Sequence, residues 1–139
     1  MNQTDDEQIA VLYNTCFGGW EPSIHARELY NARMQDIDPE FVPIYYDEMK
    51  RHDPILVEIY QELGEEFDNE SYSKTKITYI EKKYENYYHI SDNDGNEKVI
   101  INETKYELDE MKNKLKTILT SGMTNDEKIT ELEKHFYAK

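Results

Sequence analysis

The chain predicts an α+β fold: a small mixed sheet packed by helices, with a helical hairpin at the C-terminal end. Three observations predict it. The run Ile9-Ala10-Val11-Leu12-Tyr13 is continuously apolar and turns through Gly18-Gly19 into a helical pattern. Asp94-Gly95 stands between two β-favouring runs, a hairpin signal. Two amphipathic helical patterns then close the chain. At 139 residues the length suits a single compact domain, read as a core over 8–103 and a helical extension over 104–139.

Each element has its own warrant. Residues 1–7 are a polar lead-in, and 9–13 form the first strand. Gly18 and Gly19 admit the positive φ of a sharp reversal. Pro22-Ser23 opens the first helix, capped by Glu21 or Ser23, with Ala26, Leu29, Tyr30 and Arg33 on one face. Asp36, Asp38, Pro39 and Pro43 break any long helix beyond it, and residues 45–51 read as either a strand or one helical turn. Asp53-Pro54 starts the second helix, Leu56, Ile59, Tyr60 and Leu63 share its face, Gly64 stops it, and Phe67 folds back on its end.

Residues 76–80 alternate as a strand. Residues 84–90 and 97–101 flank Asp92-Asn93-Asp94-Gly95-Asn96 as a hairpin. Leu108, Met111, Leu115, Ile118 and Leu119 are in helical phase over 102–119, and Gly122 ends that helix. Thr124 to Glu127 has capping-box spacing, and Ile129, Leu132 and Phe136 stripe the last helix.

Composition bounds function. Hydrophobic residues make up 37% and charged residues 33%, so the core is thin and the 12 tyrosines supply an amphipathic outer layer. A single cysteine forms no internal disulfide and suits a reducing compartment. No run approaches the ~18 apolar residues of a membrane helix, and the polar start is no secretory signal. The net charge of −14 is uneven: residues 1–69 hold four basic against sixteen acidic side chains, and residues 70–139 hold twelve against fourteen. That field disfavours direct contact with nucleic acid, which needs Lys and Arg on phosphate. It favours a basic protein partner, or serves solubility alone.

One stretch carries a resemblance. Val11-Leu12-Tyr13-Asn14-Thr15-Cys16-Phe17-Gly18-Gly19-Trp20, followed by Ser23, Ala26 and Leu29-Tyr30, resembles the opening of small uncharacterised proteins of large double-stranded DNA viruses and tailed phages. A second block, Arg51-His52-Asp53-Pro54-Ile55-Leu56-Val57-Glu58 with Glu62-Leu63-Gly64, is similar, as is the strand at 76–81 followed by an acidic, Tyr-rich hairpin. The blocks span residues 8–103, and residues 104–139 fall outside the pattern as a lineage-specific addition. Trp20 departs from the phenylalanine often found there. The resemblance implies a viral origin, a shared α+β core and a place inside the host cell, in cytoplasm or viral factory or packaged in the virion. It carries no activity and no catalytic residue.

The residues themselves leave several chemistries to weigh. Cys16 beside a helix start, with His25 or His52 as base and the Gly18-Gly19 amides as oxyanion donors, would make a nucleophile; the plain alternative is a small core residue beside a packing corner. A phosphatase loop would need arginine where Pro22 stands. The glycine corner lacks a phosphate-binding pattern and sits in a negative field. Asp92, Asp94, Asn96 and Glu103 match calcium-loop positions, but Glu97 replaces the required glycine, so Asp92 and Asp94 are read as hairpin residues, with weak incidental cation binding by the two as the alternative. His25, His52, His89 and His135 are scattered without metal spacing. Tyr84, Tyr87 and Tyr88 are either an interface patch or cross-strand packing. Leu115, Ile118 and Phe136 belong to stripes that bury within the chain, against a partner or in a homo-oligomer.

Gly18, Gly19, Gly64 and Gly95 are structural turns, and no cofactor or metal is implied. The leading reading is a non-enzymatic acidic interaction protein or virion component. A Cys16-dependent hydrolase or transferase, and an acidic mimic of nucleic acid, stay open beside it.

Overall fold

The computed structural model describes residues 7–69 and 73–136, with the side chains of 135 and 136 outside the description. It has two compact units, Met1–Ile101 and Asn102–Lys139. The fold is α+β. The first unit runs β1 (Gln8–Asn14), α1 (Ile24–Ile37), α2 (Pro54–Leu63), β2 (Thr75–Glu81), β3 (Tyr88–Asn93) and β4 (Asn96–Ile101). Single 3-10 turns stand at Tyr46–Glu48, Gly64–Phe67 and Lys82–Tyr84. The stretch read as strand or turn is thus a turn, and the strand expected from residue 84 begins at Tyr88.

The strands form two antiparallel pairs, β1 with β2 and β3 with β4, instead of one mixed sheet. The cause lies on the outer edge of β1. Leu12 N–H donates to the Arg51 carbonyl at 2.9 Å, and Asn14 N–H donates to Glu97 Oε1 at 2.7 Å. The bonds a third strand would make are met by one loop residue and one side chain. The hairpin therefore meets β1 through a carboxylate and not through a ladder.

Helix starts follow local chemistry. Ser23 Oγ accepts from Ala26 N–H at 3.1 Å and donates to the Glu66 carbonyl at 2.9 Å, so one hydroxyl caps α1 and ties it to the end of α2. Asp53 caps α2 through Ile55 N–H, and its second oxygen accepts from the Tyr30 hydroxyl at 2.6 Å. Burial first, and then Asp53, push that phenol above its ordinary range.

Leu12, Trp20, Ala26, Tyr30, Met49, Leu56, Val57, Ile59 and Phe67 form one core cluster. Full burial of each large aliphatic or aromatic member contributes about 1.5–3 kcal/mol. The Trp20 indole N–H donates to Thr75 Oγ1 at 3.1 Å, and that hydroxyl donates to Asp68. The one polar atom of the ring is thus satisfied inside the core.

The second unit is an α-hairpin of α3 (Glu103–Thr120) and α4 (Asn125–Phe136). The expected capping box is present: Glu127 N–H donates to Thr124 Oγ1 at 3.2 Å, and Thr124 N–H donates to Glu127 Oε1 at 3.1 Å. Those bonds hold the Glu127 carboxyl below its ordinary range. Ile118 is buried and Leu115 half-buried, while Leu108, Met111, Leu119 and Ile129 are exposed. The side chains of Phe136 and His135 lie outside the described residues.

Candidate functional site

The glycine corner and the hairpin tip, far apart in sequence, meet. Asp94 and Gly95 both take positive φ, 53° and 93°, the pair of conformations that an Asp-Gly turn supplies. Gly18 N–H donates to the Asp94 carbonyl at 3.1 Å. A Cβ on Gly95 would fall 2.3 Å from Gly19 N and 2.4 Å from Gly18 N. The amides that would cradle an oxyanion or phosphate are therefore covered by the chain itself. Gly18 and Gly19 also take positive φ, at 122° and 97°, and Gly64 at 58° ends α2.

Asn14 locks this junction and is fully buried. Its Nδ2 donates to the carbonyls of Cys16 and Gly95, both at 2.7 Å. Its Oδ1 accepts from Lys74 N–H at 2.7 Å and Cys16 N–H at 3.3 Å. All four hydrogen-bonding positions of the amide are used. One side chain thus joins β1, the corner, the residue before β2 and the hairpin tip.

Beside it lies an ion pair. Arg51 donates twice to Glu97, at 2.6 and 2.9 Å, and its guanidinium lies over the Trp20 ring, 3.9 Å from the centroid. Glu97 is only 6% exposed. Forked geometry and the Asn14 N–H bond satisfy a carboxylate that would otherwise be costly to bury.

The other residues singled out from sequence fall around this core. Cys16 is half-buried and free, and among the described residues its thiol makes no hydrogen bond to a histidine. His25 is exposed on α1, where it lines a hollow with Glu65, Glu66 and Asp68. His52 Nδ1 shares a 2.6 Å hydrogen bond with the Tyr88 hydroxyl, and the rings meet edge to face. Burial holds His52 below its ordinary pKa and pushes Tyr88 up to about 12. Tyr84, Tyr87 and Tyr88 are half-buried; Tyr84 and Tyr87 lie before β3, and Tyr88 opens that strand, paired with Ile101 of β4. Asp92 spends its carboxylate on Gly95 N–H at 2.6 Å, and Asp94 is exposed. Among the described residues no group of three His, Cys, Asp or Glu side chains is arranged to hold a metal, and no helix is long and apolar enough to cross a membrane.

An open groove of about 410 Å³ runs along α1, between that helix and residues 43–45. Sequence reading missed it because residues 38–45 have no regular structure to signal a wall. Asn31 makes the wall: its Oδ1 accepts from Ile44 N–H at 3.1 Å and its Nδ2 donates to the Ile44 carbonyl at 3.4 Å. That two-way exchange is what a neighbouring strand would provide. Gln35 adds a bond to the Phe41 carbonyl at 3.3 Å. Arg27 lines the groove, and its Nε–H is buried without an acceptor among the described residues.

Compared with family models, with curated proteins and with solved structures, the chain shows no significant match to any.

Proposed function

We propose that this chain is a non-enzymatic, acidic interaction protein of a large DNA virus or tailed phage, acting in the infected cell or virion by binding a basic protein. The observation that carries the reading is where the positive charge of the first half goes. Arg27 pairs with Glu21, Arg33 with Glu58 and Glu62, and Arg51 with Glu97. Of the four basic residues in 1–69, only Lys50 stands outside these ion pairs. Among the described residues, Glu28, Asp36, Asp38, Glu40, Asp47, Glu48, Glu65 and Glu66 are exposed and outside these ion pairs, a field that steers basic partners and repels phosphate.

Crosslinking of the full chain in its own virions or infected cells, with mass spectrometry of the neighbours, tests this reading. The expected neighbour is a protein with a basic surface, bound with an affinity that falls as added salt shortens the Debye length below its physiological ~8 Å. Neighbours without a basic surface, or binding indifferent to salt, would overturn it.

A further inference from the structure

We propose that the groove between α1 and residues 43–45 is where such a partner docks, as an extended basic segment that seats an apolar side chain. This inference rests on the acidic-interaction reading and adds the place and the mode.

Shape comes first. The groove follows α1 from Ile24 to Gln35. At ~1.5 Å per residue this is a trough of roughly 16 Å, the span of about five extended residues. Its volume of about 410 Å³ matches the small end of ligand clefts. Ala32 keeps it open, and Pro43 and Tyr45 form the far side. The Asn31 clamp holds that side in place without an occupant, so docking does not have to order it.

Chemistry points to the occupant. Exposed apolar groups gather along this stretch: Ile24 is 66% exposed, Val42 75% and Tyr45 76%. The same stretch carries Glu28, Asp36, Asp38, Glu40, Asp47 and Glu48, all exposed and none in an ion pair among the described residues. Its two basic residues, Arg27 and Arg33, are closed in internal pairs. Apolar lining residues, one acidic lining residue (Glu28) and exposed carboxylates on the flanking segments complement a segment that alternates cationic and apolar side chains.

The test uses the full chain, 15N-labelled, titrated with three synthetic nonapeptides: alternating lysine and leucine, all lysine, and alternating glutamate and leucine. The lysine–leucine peptide should bind and shift the amide signals of residues 24–35 and 41–46. All-lysine should bind about tenfold more weakly, and glutamate–leucine not detectably. Ala32→Phe, which fills the trough from an exposed helical position, should weaken binding about tenfold with an unchanged unfolding midpoint. Glu28→Lys should weaken it and flatten its salt dependence.

Equal affinity for both lysine peptides, shifts elsewhere, or indifference to Ala32→Phe would overturn the groove and leave the acidic reading standing. Failure of every lysine peptide to bind would overturn both.

Discussion

Removing one partner of the Arg51–Glu97 pair should cost more than removing both. Glu97 is 6% exposed and the Arg51 side chain 17%, so neither charge is relieved by water when the other is lost. Glu97→Leu leaves a guanidinium over Trp20 with no counter-charge, and Arg51→Met leaves a buried carboxylate with none. Each should lower stability by about 3–5 kcal/mol. The double variant removes both charges and restores apolar volume. What remains is the Asn14 N–H, which loses its acceptor at Glu97 Oε1, worth about 1–3 kcal/mol. The double variant should therefore be more stable than either single one.

Urea suits the measurement, because guanidinium is itself a salt and screens the pair. Trp20 is the one tryptophan of the chain, and the Arg51 guanidinium lies 3.9 Å from its ring. Its fluorescence therefore reports the unit that holds the pair. A double variant as unstable as the worse single one, or singles that cost under about 1 kcal/mol, would show that the pair is not held as described.

The same geometry sets other outcomes. Gly95→Ala should cost about 2–5 kcal/mol by urea titration, because its Cβ meets backbone nitrogen and its φ is positive; Gly64→Ala, in open space, should cost only the backbone strain of φ 58° and ψ −126°, about 1–3 kcal/mol. Equal costs would refute the close approach. Cys16→Ala should change stability by less than about 1 kcal/mol, since Asn14 bonds only to the backbone of that residue. His52 is held below its ordinary pKa of ~6.5, so the unfolded chain takes the proton first and stability falls as pH drops through that value, levelling once the folded ring is also protonated. His52→Phe should remove that slope from urea midpoints taken between about pH 7.5 and 5.5; an unchanged slope would assign it to other groups.

Local signals in the sequence foretold local structure well. Ser23, Asp53-Pro54, Gly64, Asp94-Gly95 and the Thr124–Glu127 box act through neighbours within a few residues, and each stands where its pattern placed it. What could not be read was pairing across distance. Glu97 looked like a misfit in a calcium loop, yet it is the acceptor that closes the edge of β1. Its acidic side chain at the start of the Val99-Ile100-Ile101 strand, with an arginine in the Arg51-His52-Asp53-Pro54 block to answer it, was the one hint. The groove gave none, since it depends on one amide clamping a segment with no periodicity.

The seating of the hairpin tip on the glycine corner also orders events in time. Asn14 finds Gly95 and Glu97 across 81 and 83 positions of chain. During synthesis the first strand therefore waits, one flank bare, until most of the first unit has emerged. Closures of such long range slow folding, and an open strand flank invites mispairing meanwhile. A nascent chain halted before Glu97 should be the form most prone to aggregate, and a chaperone should engage the protein there.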